Sequence, residues 1–307
     1  MADPQKLRER PPFPAFFALT VGLLAETSGC VSAPSPLTPH ASGSVGVPHA
    51  GVQTDAVELK KGRSFLRFRP HSRNYWGRPG LVRALQEATA AVDKSIPGGK
   101  PLLIGDLSAR YGGKIRGHHS HRTGRDVDLL WYVTTPSGVP QNNPGFIRIG
   151  SDGFARVQET GEFLRIDVER QWLLVRELML SPHIRVQWMF CSRDVEAVLI
   201  EYARARGEPD QLVWHAESVL LQPGDSLPHD DHIHLRIACS QDESVRGCAG
   251  GGPYWPWLPE LPRLGALDDS LLTEIATDDP LDTVMDESPN PSVTRGAVSR
   301  AQPPAEG

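Results

Sequence analysis

Gly117-His118-His119-Ser120-His121-Arg122-Thr123-Gly124-Arg125-Asp126-Val127-Asp128 concentrates three histidines and two carboxylates in twelve residues. A second dense segment, His229-Asp230-Asp231-His232-Ile233-His234, follows far downstream. Together they hold six of the chain's eleven histidines. Neutral imidazole and carboxylate in combination suit a transition-metal ion, with Zn²⁺ as the natural candidate.

The spacing says how the two segments present these groups. His121 and Asp128 are seven apart, an offset that fits a loop running into a strand better than one helix. Residues 127–133 read as that strand, with Asp126 and Asp128 at its mouth. Positions i and i+2 share a strand face, so both carboxylates can point one way. Residues 232–237 alternate and read as a second strand, placing His232 and His234 on one face. A catalytic zinc takes three protein ligands and keeps one position open. No His-Glu-x-x-His is present, so a third ligand must come from elsewhere, and the 232–234 strand offers one. Histidines of the second segment can also supply a base that titrates near neutrality. Asp126 suits the orientation of a ligating imidazole. His119 reads as surface, and His183 and His215 as isolated.

The chain has 307 residues, a net charge of -5 and 39% hydrophobic residues. That supports one domain of roughly 200 residues with flanking segments. No charge excess or basic cluster points to nucleic acid. Residues 1–30 read as an export signal: Lys6, Arg8 and Arg10, then an apolar run over 13–25, too short to span a bilayer that needs about 20 residues. The run ends at Thr27-Ser28-Gly29-Cys30, either a lipoprotein-type box that would anchor Cys30 to lipid or an ordinary cleavage region. Residues 31–56, rich in Ser, Pro, Gly and Ala, read as a flexible linker. The domain is expected over 57–250, and 251–307 as an acidic, Pro-containing disordered tail, with Trp255 and Trp257 able to pack back on the domain. Cys239 and Cys248 could close a small loop in an oxidising compartment, leaving Cys191 a buried thiol. Helices are expected over 81–94, 162–180 and 195–205, and strands over 102–104 and 184–190. Residues 136–152 form a loop long enough to serve as a lid or wall. Tyr75 and Trp76 suit a substrate wall and a core position equally.

The pattern His118-x-Ser120-His121-x-Thr123-Gly124-x-Asp126-Val127-Asp128, followed by His229-x-x-His232-x-His234, resembles the penicillin-insensitive murein endopeptidases. These are a branch of the lysostaphin, D-Ala-D-Ala peptidase and hedgehog group of zinc folds. The resemblance runs over most of 65–248 and includes Arg73-Asn74-Tyr75-Trp76-Gly77, Ile104-Gly105-Asp106 and Cys239. It implies an α+β fold: a small central antiparallel sheet with flanking helices and the zinc site on the sheet. It implies that His121, Asp128 and His234 bind Zn²⁺, with His118 as an accessory ligand. His232 would be the general base or hold the attacking water, and His229 would polarise the substrate or stabilise an oxyanion. The implied substrate is the D-alanyl–meso-diaminopimelate cross-link of peptidoglycan, in the periplasm or cell envelope. A D,D-carboxypeptidase or dipeptidase of the same fold group, and a zinc-bearing wall-binding module without turnover, are the competing expectations.

Overall fold

A computed structural model describes residues 42–224, 226–250, 253 and 255–258. The export segment, Cys30 and most of the acidic tail lie outside the described residues. In chain order, β1 (Ser44–Val47) and β2 (Ala50–Gln53) form a hairpin, and β3 (Val57–Glu58) pairs with β5 (Trp76–Gly77) around β4 (Phe65–Arg67). Then follow α1 (Pro79–Ser95), β6 (Leu102–Ile104), β7 (Asp126–Leu129), β8 (Val133–Thr134) and β9 (Pro140–Gln141). β10 (Phe154–Arg156), β11 (Phe163–Ile166), α2 (Val168–Met179) and β12 (Val186–Phe190) come next. The remainder is α3 (Arg193–Ala205), α4 (Asp210–Val219), β13 (Leu220–Leu221), β14 (Ile233–Ile237) and α5 (Gln241–Val245).

The fold is α+β, but the central sheet is mixed instead of purely antiparallel. Its order is β13-β12-β14-β7-β6-β4. The inner pairs β12–β14, β14–β7 and β7–β6 are antiparallel, while β4–β6 and β12–β13 at the two edges are parallel. Helical crossovers explain the difference: α1 connects β4 to β6, and α3 with α4 connects β12 to β13. Parallel neighbours need such a connection. A second sheet, β10-β11-β8-β9, is antiparallel throughout.

α1 forms where the apolar positions recur at helical spacing. Leu81, Leu85, Ala88 and Val92 are all buried, and Pro79 in the first turn tolerates its missing N–H. The helix expected over 162–180 splits. Residues 163–166 alternate exposed and buried, which is strand periodicity, and they pair with both β10 and β8. Asp167 then caps α2 by accepting the Arg170 N–H. The strand expected over 127–133 is likewise broken into β7 and β8, which belong to different sheets. Trp131 and Trp172 are among the largest fully buried side chains of the core. Tyr75 is a core residue: it is 1% exposed and its hydroxyl donates to the Ile104 carbonyl.

Residues 44–53, read from sequence as linker, are a hairpin because the far end of the domain holds them. Glu243 of α5 accepts the Ser44 N–H at 3.0 Å and pairs with Arg78 at 2.7 Å. Gly46 exchanges backbone hydrogen bonds with Gly247 and Ala249. Cys239 and Cys248 are disulfide-bonded and close the loop that carries these groups, and Cys191 is a buried free thiol. Trp255 and Trp257 do pack back: their indole N–H groups donate to the carbonyls of Gln187 and Val186.

Removing the cross-link with Cys248→Ala should cost about 2–3 kcal/mol, a fall of roughly 5–10 °C in thermal midpoint. An unchanged midpoint would mean that the 239–248 loop does not clamp the hairpin.

Candidate active site

Sheet register brings the two histidine segments together. In the antiparallel centre Asp128 stands opposite His234, which stands opposite Phe190. One step along, Asp126 faces Arg236, which faces Trp188. Directly opposed residues project to the same side of a sheet, so both rows lie on one face. β6 ends beside them at Gly105, whose N–H donates to the Asp128 carbonyl. A side chain on Gly105 would begin 2.9 Å from the Asp128 Cβ, so only glycine allows this approach.

His121 enters from the loop before β7. Its backbone is left-handed, with φ of 63°, uncommon for a residue with a side chain. The Ser108 hydroxyl donates to its carbonyl at 2.6 Å, and its Nδ1 donates to the Leu107 carbonyl at 2.6 Å. His234 is fixed in the same manner: its Nε2 donates to Asp126 Oδ1 at 2.9 Å. Arg236 Nε reaches that same oxygen at 2.6 Å. In the neutral rings, the nitrogens left without protons are His121 Nε2 and His234 Nδ1. They lie 3.3 Å apart, and each is within 3.2–3.3 Å of Asp128 Oδ1. Asp128 Oδ1 is buried without a hydrogen-bond donor. Three lone-pair atoms thus face one another in a buried pocket. That arrangement repels itself until a cation sits among them; the side chains around it form two groups that could hold a metal ion, His118-His121-Asp128 and His229-His232-His234.

The other predicted residues surround this triangle. His118 is 3.2 Å from Asp106 through Nε2 and 3.8 Å from Asp128 Oδ2 through Nδ1. His232 Nε2 lies 3.4 Å from Asp128 Oδ1, and its Nδ1 is held by Asp231 at 2.5 Å. The His229 ring is 5.4 Å from that of His232, and its Nδ1 is buried without a partner. His119 is exposed, His183 pairs with Glu87, and His215 packs on Trp257, all apart from the cluster. The 136–152 loop does form a wall. Phe146 stands edge-on to His232 at 5.3 Å and to Phe68 at 5.1 Å, and Ile149 donates to the Asp230 carbonyl.

Electrostatics separates the flanking imidazoles. Burial opposes charge on His232, but Asp128 and Asp231 outweigh it and push the group up to about 10. Burial pushes His229 down to about 4, helped by His232 and His234. Burial also opposes ionisation of Asp128, yet His121 and His232 hold it well below the carboxylate range. An ion on Asp128 consumes the negative charge that raises His232 most, and so returns His232 toward neutrality.

Asp106, Arg236, Phe68, Phe146 and Phe190 were not assigned roles from sequence. Arg236 had a signal, since it is two residues after His234 and shares its strand face. The aromatic residues had none, because only cross-strand register and loop docking bring them here.

Residues 44–144 match the sequence profile of the penicillin-insensitive murein endopeptidase family. Over this stretch the chain is similar to that family. A Haemophilus influenzae protein of that name is 26% identical over 196 residues, which are 60% of this chain and 59% of the relative. An Escherichia coli protein of the same name is 40% identical over 63 residues, 20% of this chain and 22% of the relative. The chain therefore spans less than two thirds of the length of these family members. The profile match contains the first histidine segment but ends before the second, so what joins His234 to the family's first motif is the sheet register.

Asp126 yields a pH test. Burial raises its pKa, but Arg236 and His234 outweigh that and hold it far below the ordinary value. A depressed folded-state pKa contributes stability above the unfolded value, and that contribution drains as pH falls below about 3.9. Asp126→Asn should therefore be less stable than the parent at about pH 7, with a gap that narrows by about pH 3. Denaturant midpoints at both pH values measure it; a constant gap would mean the carboxylate is not ionised in the fold.

Proposed function

We propose that this protein is a zinc-dependent D,D-endopeptidase that hydrolyses D-alanyl–meso-diaminopimelate cross-links of peptidoglycan, and that it works outside the cytoplasm. The similarity to the penicillin-insensitive murein endopeptidases over residues 44–144 supports peptide hydrolysis in murein. One observation carries the metal assignment. A tetrahedral ion about 2.0–2.1 Å from each ligand requires ligand atoms about 3.3 Å apart. His121 Nε2, His234 Nδ1 and Asp128 Oδ1 are separated by 3.2, 3.3 and 3.3 Å. Imidazole and carboxylate donors with hydrogen-bonded outer partners suit Zn²⁺. His118, tied to Asp106, stands beside the set as an accessory ligand.

A Zn²⁺ ion held by His121, Asp128 and His234 would supply Lewis-acid chemistry, activating a water and polarising the scissile carbonyl. The chain's own residues do the rest. Asp231 fixes the His232 ring so that Nε2 faces the ligand cluster, where it takes the proton of the attacking water and returns it to the leaving amine. His229 stays neutral through burial and, in its Nδ1–H tautomer, donates that unpartnered N–H to the carbonyl oxygen as charge develops. Phe146 borders this arrangement beside His232, and Phe190 beside His229 and His234. Among the described residues no helix is long and apolar enough to cross a membrane. Export through residues 1–30, with lipid on Cys30 as one outcome, would deliver the enzyme to this substrate.

Cross-linked muropeptide dimers given to the purified protein should convert to monomers, and a chelator should stop the conversion. Release of terminal D-alanine alone would instead identify a carboxypeptidase, and tight zinc without products a binding module. His232→Ala should retain zinc while losing roughly 10²–10⁴-fold in turnover. Equal loss of zinc, read by metal analysis, would make His232 a ligand.

A further inference from the structure

Five imidazoles meet at the site, and four of them are steered through the ring. Asp106 holds Nε2 of His118, the Leu107 carbonyl holds Nδ1 of His121, Asp231 holds Nδ1 of His232 and Asp126 holds Nε2 of His234. His229 differs, because its Nδ1 is buried without a partner. A partner there would occupy the atom that meets the carbonyl oxygen, so the ring has to be placed through its backbone. Both backbone groups of His229 are held. The Ser192 N–H donates to its carbonyl at 2.7 Å, and its own N–H donates to Oε1 of Gln222 at 2.7 Å. The two holders come from one edge of the central sheet. β12 and β13 run parallel, with Phe190 opposite Leu221, so both strands end on the same side. Ser192 and Gln222 follow within two residues of those ends.

We propose that Gln222 is a positioning residue: its side-chain amide fixes the His229 main chain, and with it the placement of the imidazole relative to His232 and His234. The inference rests on the endopeptidase reading above, in which His229 meets the carbonyl oxygen. Gln222 suits the task because both ends of its amide are engaged on this one loop. Oε1 takes the His229 N–H. Nε2 lies 3.0 Å from the Pro223 carbonyl, 3.2 Å from that of Leu227 and 3.3 Å from the Ser226 hydroxyl. Ser226, Leu227 and Pro228 are exposed, Leu227 to 85%, so apolar burial contributes little to ordering them. A primary amide can accept from one end of such a loop while donating to the other. Glutamate would keep the acceptor alone, and methionine would keep neither. Placement counts most for a group that stabilises charge in the transition state, since a displacement of about 1 Å can cost roughly 10²-fold in rate. An interaction made only in that state is read in kcat and not in KM.

The test is a double-mutant cycle on the full chain, assayed with cross-linked muropeptide dimers. Gln222→Met should lower kcat roughly ten- to hundredfold, with KM and zinc content unchanged. In the His229→Ala background the same substitution should cost less than about twofold, because the group it positions is gone. If Gln222→Met does not fold, Gln222→Asn, one methylene too short to reach the His229 N–H, takes its place in the cycle. An unchanged kcat, a loss of equal size in both backgrounds, or a loss carried by KM or by zinc overturns the inference. The ring is followed separately by NMR. The His229 imidazole resonances should shift in Gln222→Met while those of His118 stay in place, and unmoved His229 resonances overturn the inference. A protein that cleaves no dimer but whose His229 resonances still move would defeat the endopeptidase reading and leave the positioning role standing.

Discussion

Three lone pairs pointed at one another govern this protein. His121 Nε2, His234 Nδ1 and Asp128 Oδ1 form a triangle with sides of 3.2–3.3 Å in a buried setting. Each is turned inward because its other side is already engaged. Leu107 takes one imidazole proton, Asp126 takes the other, and β7 pins the carboxylate. Alone, such a cluster opposes folding, since like partial charges are brought together in a buried setting. The rest of the structure has to hold it.

The antiparallel centre does most of that work. Opposed positions on β7, β14 and β12 deliver Asp128, His234 and Phe190 in one row, and Asp126, Arg236 and Trp188 in the next. A slip of one residue would send every one of these side chains to the other face. Arg236 protects that register chemically, because its pairing with Asp126 is lost if the strands shift. Further out, α5 and its disulfide loop clasp the N-terminal hairpin. Gly113 of the loop that leads to His121 hydrogen-bonds to Gly51 of that hairpin.

Much of the site was legible in the sequence, and the reasons are local. Strand periodicity placed Asp126 with Asp128 and His232 with His234, and the density of imidazole marked both segments. What pattern could not supply was pairing across the sheet, so the contacts of Phe190, Phe68 and Phe146 with the site stayed hidden. The α1 spacing was clear because its buried face is regular. Residues 163–166 misled because four residues of β11 run directly into a capped helix, and the apolar positions of the two blend into one apparent period. The antiparallel sheet came from the family resemblance, and the edges depart from it because the helices between strands make those two pairs parallel. The hairpin over 44–53 looked like tether because its composition is that of a loop, and its partners lie some two hundred residues away.

His121 sits at a backbone angle that glycine or asparagine would occupy with less strain. The position therefore pulls in two directions. Drift toward either residue would relax the chain and make the folded molecule sturdier, at the expense of one corner of the triangle. A screen that rewards robustness alone would be drawn to this position and would return an inert protein.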